Sequence, residues 1–339
     1  MKTNITKLKY IFIPFLFVFL FWGDLSFACS SCGSSAVSPI NLYPNENLKV
    51  YVGTQVNYNY INYGHAGGDS RAKWISTNLA TKSTLTLAVG YRTSQNSFIS
   101  LTGSAIRNEG PNNVFDPYDS GIKTTYLLGD PIISGRYNLV NMSIDKPSVP
   151  QVQLVASYKP SFSSNMIDNP ERDAIDTTGN GYDQFRVGVD LWWGVMAWQF
   201  GGSQFVTYSL DRYPDVEYYG NIQTKRSRSL QYTTILSGAR DFRDVDIDMN
   251  IQVGVALDYT GETETTLIST NSGVTTMVTA PSAQSNNFFV TAKFPLTQKD
   301  VVRFSYVIGG FYDGDLGPFT NKNQTVSDSV LVGFEHTYF

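Results

Sequence analysis

Apolar and polar residues alternate with a period of two along most of this chain, which is the spacing of a β-strand with two different faces. The clearest stretch is 246–259, in which every second residue is aliphatic, methionine or tyrosine. Its apolar series is Ile247, Met249, Ile251, Val253, Val255, Leu257 and Tyr259, and its other series is Asp246, Asp248, Asn250, Gln252, Gly254, Ala256 and Asp258. A helix would scatter both series around its circumference, so the pattern predicts a strand.

Twelve segments of this kind follow one another, and each is near or above the roughly 9–11 residues that a tilted transmembrane strand requires. They cover 48–60, 81–92, 97–107, 126–140, 150–160, 183–193, 197–209, 226–240, 246–259, 285–294, 300–312 and 328–339. An even number of antiparallel strands is what a single-chain bacterial barrel needs. The expected fold is therefore all-β, a membrane-spanning antiparallel up-and-down β-barrel of about 12 strands that occupies 48–339.

The links between these segments are alternately short and long. Short links fall at 93–96, 141–149, 194–196, 242–245 and 295–299, and long polar links at 61–80, 108–125, 161–182, 210–225, 260–284 and 313–327. Outer-membrane barrels have short periplasmic turns and long outer loops, whereas a soluble β-sandwich predicts no such alternation. The expected location is therefore the cell outer membrane of a Gram-negative-type bacterium.

The amino-terminal segment predicts export. Lys2, Lys7 and Lys9 precede an apolar run at 10–22, and Ser26-Phe27-Ala28 offers small residues to a signal peptidase. This predicts a signal peptide at 1–28, with an uncleaved anchor as the alternative. Residues 29–47 then form a flexible, Cys-containing lead-in to the barrel.

Composition agrees with a protein whose outer face meets lipid. Only 16% of the 339 residues are charged and 14% are aromatic, whereas soluble proteins carry roughly 25% charged residues. The formal net charge of -4 excludes the basic footprint of a nucleic-acid-binding protein.

Cys29 and Cys32 are the chain's only cysteines and form a CxxC motif. A disulfide between them would persist in the periplasm. Two thiolates could also hold a metal such as Cu(I), or take part in redox contact with a partner. Acylation of Cys29 is the third alternative, although Ser26 stands where a lipoprotein signal prefers a leucine-like residue. A c-type haem is excluded, because Gly33 occupies the position of the required histidine.

The alternation also predicts which charged side chains face the lumen. The candidates for a lumen constriction are Arg92, Asp130, Arg136, Lys159, Arg186, Asp190, Asp248, Asp258, Lys293, Arg303 and Glu335. Two interpretations stay open. The charges could form ion pairs across the interior that stiffen the wall, or they could line a polar constriction that small solutes pass.

We expect no catalytic site, and we therefore predict that the protein is not an enzyme and has no cofactor. The two histidines, His65 and His336, fall in the first outer loop and near the periplasmic end of the last strand, so they cannot share a site. The acidic stretch 176–183 lacks the ligand spacing and terminal glutamate of a calcium loop.

The segment 128–137, with the sequence LGDPIISGRY, opens a strand after a long loop with the pair Gly129 and Asp130. It is similar to the family described as the MetA pathway of phenol degradation, a set of outer-membrane barrels of about twelve strands. The resemblance covers most of the mature chain in strand number and layout. It implies transport of small compounds, with aromatic ones among the candidates.

Two functions follow as hypotheses. The first is a porin-like channel for passive passage of small solutes through a narrow polar lumen. The alternative is a non-conducting structural or binding barrel, whose outer loops or CxxC tail engage a partner or a metal. The expected partners are outer-membrane lipid, a small-molecule solute, and the barrel-assembly machinery, which recognises a terminal aromatic such as Phe339. No nucleic acid is expected.

Overall fold

The computed structural model describes residues 39–43, 45–63, 74–75, 80–111, 122–141, 149–162, 181–195, 197–213, 222–269, 273, 275–280, 282–309, 312–313 and 324–339. Apart from one 3₁₀ turn at Arg243–Val245, the regular structure in these ranges is β-strand. No helix in this part of the chain is long and apolar enough to cross a membrane.

Twelve long strands form one closed antiparallel barrel, which confirms the predicted fold. They are β1 (Leu48–Tyr63), β3 (Ala80–Ser94), β4 (Ser97–Pro111), β6 (Ile132–Val140), β7 (Gln151–Lys159), β8 (Gln184–Val195), β9 (Trp198–Ser209), β11 (Gln231–Asp241), β12 (Asn250–Thr260), β15 (Ala283–Pro295), β16 (Asp300–Gly309) and β18 (Gln324–Tyr338). Closure comes from the first and last strands, which pair from Leu48 with Tyr338 to Asn62 with Gln324. A closed barrel leaves no open sheet edge, which is the condition for a β-structure to span a lipid bilayer.

The wall shows the two faces that the alternation predicts. On β3, the outward Leu85 and Leu87 are each 53% exposed, whereas Ala88, on the inner face, is fully buried. The outward residues of β4 and β16 follow the same pattern. Large apolar side chains with so much free surface are costly in water, so this outer face fits a hydrocarbon environment. The short links also alternate with the long ones, as predicted.

One predicted strand, 126–140, is interrupted. Its first part belongs to β5 (Ile122–Leu128), which pairs with the outer half of β4, and β6 pairs with the other half. Thr102 faces Ile132 and Ala105 faces Leu128, so two residues of β4 oppose three residues at Gly129-Asp130-Pro131. The extra residue is a β-bulge, and it reverses which residue parity points inward.

The outer side carries further strands. β10 (Ile222–Arg228), β13 (Thr263–Ser269) and β14 (Thr275–Ala280) form a separate three-stranded sheet. The predicted strand at 226–240 is therefore split, because β10 belongs to this separate sheet and β11 belongs to the barrel wall. Two short strands pair with the outer ends of β1 and β18. They are β2 (Trp74–Ile75), which pairs with β1, and β17 (Tyr312–Asp313), which pairs with β18.

The prediction for 246–259 is wrong at its start. Asp246 has a left-handed backbone with φ of 61°, directly after the 3₁₀ turn, and β12 begins only at Asn250. Asp248 therefore lies exposed in the periplasmic turn and not in the lumen. The reason is that Asp241 of β11 pairs with Asn250, so the residues between them must turn the chain.

Candidate functional site in the barrel lumen

The barrel encloses a cavity of about 570 Å³, and all twelve wall strands contribute to its lining. Hydroxyl and amide side chains dominate the lining, such as those of Thr84, Ser134, Gln184 and Asn287. They point inward because the outward positions of the same strands carry the apolar residues that the membrane requires. The interior therefore presents hydroxyl and amide groups, beside apolar side chains such as Val155 and Phe289, to a solute.

The amino-terminal lead-in occupies the periplasmic end of this interior. We call residues 39–43 and 45–47 the plug. Ile40 and Leu42 are fully buried and form an apolar cluster with three residues of the wall, Tyr51, Ala88 and Phe98. The expectation of a flexible lead-in is therefore wrong for the plug, which packs against the inner wall as a core element does.

Polar contacts fix the plug at its connection to β1. The Lys49 ammonium lies 3.1 Å from the Glu46 carboxylate, and both side chains are at most 10% exposed. Lys49 also donates to the Asn41 carbonyl at 2.9 Å. Arg92 on β3 donates to the carbonyls of Glu46 and Tyr43. The plug is thus held by an apolar cluster on one side and by two cations on the other.

The lumen wall contains a buried ion pair above the plug. Arg136 on β6 and Asp190 on β8 approach to 2.5 Å, and their side chains are 8% and 4% exposed. Gln153, on the strand between them, accepts from Arg136 at 3.3 Å and donates to Asn138 at 2.7 Å. These contacts offset part of the cost of burying the two charges, although the Arg136 Nε has no hydrogen-bond partner among the described residues.

Two further ion pairs join elements of the wall. Arg303 on β16 pairs with Glu335 on β18. Lys159 on β7 lies 3.4 Å from Asp130 in the bulge. Asp130 also accepts from the Phe162 backbone N–H at 3.0 Å, so its carboxylate ties the bulge to the end of β7.

Hydroxyl groups contact two more of the charges. Arg186 donates to Thr207 at 3.0 Å, and Asp258 accepts from Thr233 at 2.6 Å. The three wall ion pairs join adjacent or next-neighbouring strands along the wall and not opposite sides of the interior, which still contains a cavity.

Three aromatic side chains in the lumen lie over a glycine of the neighbouring strand. A Cβ atom added to Gly201 would lie 2.5 Å from the Trp192 ring, closer than real Cβ contacts allow. The pairs are Trp192 over Gly201, Phe205 over Gly188 and Phe289 over Gly254. Each ring therefore occupies the space that a side chain on the facing glycine would need.

Most of the lumen candidates line the cavity. Nine of the eleven do so, namely Asp130, Arg136, Lys159, Arg186, Asp190, Asp258, Lys293, Arg303 and Glu335. Arg92 lies at the periplasmic rim and binds the plug instead. Asp248 does not line the cavity, because it lies exposed in the turn between β11 and β12. Gly129 and Asp130 form the bulge, which gives the short motif a structural role.

Of the two histidines and two cysteines considered above, only His336 lies among the described residues. The signal peptide, Cys29, Cys32 and His65 lie outside the described residues. His336 points outward near the periplasmic end of β18, where its Nδ1 lies 2.7 Å from the Asp300 carboxylate. Across the described ranges, no group of three or more His, Cys, Asp or Glu side chains is placed to hold a metal.

Sequence reasoning missed the plug. Ile40 and Leu42 stand on either side of a polar Asn41, and Pro39 and Pro44 flank them, which resembles a linker. The two-residue alternation around Asn41 is the signal that could have indicated a buried face. Trp192 lines the lumen because its position has inward parity on β8.

The fold is similar to solved outer-membrane proteins. An outer-membrane channel from Pseudomonas putida F1 matches with a TM-score of 0.61 and 13% identity, over 90% of this chain and 100% of that chain. The Ralstonia pickettii toluene transporter TbuX matches with a TM-score of 0.43 and 10% identity, over 87% and 90% of the two chains. The NanC porin matches with a TM-score of 0.43 and 11% identity, over 84% and 100%.

No family model and no curated protein sequence matches the chain. At these identities the likeness to the Pseudomonas channel concerns the fold. The closed wall, the apolar exterior and this likeness together show a β-barrel of the outer-membrane type.

Proposed function

We propose that this protein is a narrow outer-membrane channel for small solutes, with the plug restricting its periplasmic end. The observation that carries the proposal is the polar cavity of about 570 Å³, to which all twelve wall strands contribute. A barrel that served only as a scaffold could fill its interior with packed side chains, as barrels of small strand number commonly do. Here three aromatic rings lie over glycines of neighbouring strands, and the interior contains a cavity.

Selectivity would come from the width of the lumen and from its charges, with no covalent step. Asp130 and Lys159 face the cavity at the bulge, and Arg136 and Asp190 face it closer to the plug. The resemblance at Gly129-Asp130 adds small aromatic compounds to the solutes worth testing.

The test is conduction by the refolded mature chain. Planar-bilayer recording should show discrete channels, and liposomes containing the protein should swell in small solutes such as arabinose or glycine. Asp130→Asn with Lys159→Met should change the conductance while the barrel stays folded, because it removes both charges at the bulge.

Absence of channels together with absence of swelling would refute the proposal. That result would favour the second function, a non-conducting binding or structural barrel, for which the seated plug is the supporting observation. The CxxC tail would then be examined for metal or partner binding by mass spectrometry of the mature chain.

A further inference from the structure

The interior of the barrel has an apolar side. Four buried side chains on β7, β9, β11 and β12 form one cluster, namely Val155, Phe205, Ile235 and Ala256, and each is at most 7% exposed. Phe289 on β15 packs against this cluster and is only partly buried. All five residues line the cavity. Lipid requires apolar residues on the outer face of the strands only, so it does not explain this inner cluster.

The apolar surface continues around the wall beyond this cluster. Val307 on β16 stands directly opposite Phe289, and Leu331 lies on β18, the next strand of the wall. Both side chains line the cavity and are only partly buried, so they present free apolar surface to it. We call these seven residues the apolar arc. It is a band, because two positions along the same strands the inward residues are polar, as at Thr233 and Thr291.

The other four strands of the wall, β1, β3, β4 and β6, present hydrogen-bonding groups to the cavity. These groups belong to Gln55, Thr86, Ser104 and Ser134. Thr86 and Ser104 stand directly opposite each other, near the middle of β3 and β4. The apolar lining residues of these strands lie elsewhere, with Tyr51 in the cluster of the plug and Ile132 directly after the bulge. The lumen is therefore amphipathic in cross-section.

A solute inside the barrel meets apolar groups on one side and hydroxyl and amide groups on the other. Ligand sites are commonly cavities of roughly 300–1,000 Å³ that combine an apolar lining with a few polar groups, and this cavity has a volume of about 570 Å³. Contact with the apolar arc removes the apolar surface of a solute from water, which is favourable. The opposite side of the wall supplies partners for a polar group of the solute, which would lose its hydrogen bonds to water.

We propose that the apolar arc and the polar side chains of β1, β3, β4 and β6 form a binding site for small amphipathic solutes, with an apolar body and a hydroxyl or carbonyl group on one side. This inference rests on the proposed channel function and names the chemical class of its substrate. A hydrocarbon of the same size leaves the polar side of the site unpaired, and a polyol gains no contact with the apolar arc. Both should therefore bind more weakly.

Three six-membered rings of similar size test this preference, namely cyclohexanol, cyclohexane and myo-inositol. Trp192 lines the same cavity, so the fluorescence that is lost in Trp192→Phe reports on binding to the refolded mature chain. The free concentration of each ring is measured, because cyclohexane partitions into detergent. Cyclohexanol should give a saturable change, and cyclohexane and myo-inositol should bind at least about tenfold more weakly.

Variants with matched shape then locate the site. Val307→Thr places a hydroxyl group in the apolar arc and should weaken cyclohexanol binding by about fivefold or more. Val245→Thr makes the same change in a periplasmic turn, where Val245 is 53% exposed, and should bind like the wild type. Thr86→Val removes a hydroxyl group from the polar side and should reduce the preference for cyclohexanol over cyclohexane. Heat-modifiable migration in electrophoresis shows that each variant is folded.

The outcomes separate this site from the proposed function. If the chain neither conducts nor lets liposomes swell, but cyclohexanol binds and Val307→Thr weakens its binding, the proposed function fails and the site stands. If channels are seen, but cyclohexane or myo-inositol binds as tightly as cyclohexanol, the inference is overturned and the proposed function stands. Wild-type affinity for cyclohexanol in folded Val307→Thr would also overturn it.

Discussion

Loosening the plug should open the lumen, and its two buried apolar side chains are the places to do it. Replacing Ile40 and Leu42 by alanine removes three carbon atoms from each of two fully buried side chains. At about 0.8 kcal/mol per buried methylene, this costs about 5 kcal/mol of docking free energy. The two residues share contacts, so the sum is an upper estimate. Even a loss of about 4 kcal/mol would shift the docking equilibrium roughly a thousandfold.

The assay is single-channel recording of the refolded double variant Ile40→Ala/Leu42→Ala beside the wild type. The expected result is a larger conductance or a longer open time, because Glu46 and Lys49 keep the segment attached while its apolar end leaves the wall. Leu296→Ala is the control, since Leu296 is 63% exposed in a periplasmic turn. Heat-modifiable migration in electrophoresis would show that all three barrels are folded. An unchanged conductance in the folded double variant would refute the view that the plug restricts the lumen.

Two further variants test the wall. Asp190→Asn should lower the melting temperature, because it leaves the Arg136 guanidinium buried without its carboxylate, at a cost of about 3–5 kcal/mol. Arg136→Met combined with it should recover part of the loss, and equal melting of the single variant and the wild type would contradict the structural role of this pair. Gly201→Ala should reduce the conductance by displacing the Trp192 ring into the lumen. Gly202→Ala, where the added carbon has ordinary contacts, should conduct like the wild type, and the same conductance for both variants would count against the ring's position.

The strands were predictable because the membrane forces a simple rule on them. Every wall strand must place apolar residues outward and can place polar residues inward, so the faces are visible in the sequence without any knowledge of partners. Eight of the nine lumen charges lie on wall strands and follow the same rule, whereas Asp130 lies in the bulge. Asp248 was misplaced because alternation continues into the turn, where backbone geometry and not burial decides the direction of a side chain.

The plug and the bulge depend on contacts that alternation does not encode. Ile40 is buried only because Gly90 leaves room for it on β3, and this is a long-range match between two positions. At the bulge, one inserted residue changes the inward parity between β5 and β6, so a strict period of two cannot continue through Gly129 and Asp130.

The aromatic rings that lie over glycines show that two properties of the lumen depend on different residues. Its width is set where a neighbouring strand lacks a side chain, whereas its electrical character is set by charged residues at other positions. Substitution at a glycine would change which solutes fit, and substitution at a lysine would change which solutes are attracted. Related barrels could therefore diverge in size limit and in charge preference independently, while the strand register and the lipid-facing surface stay the same.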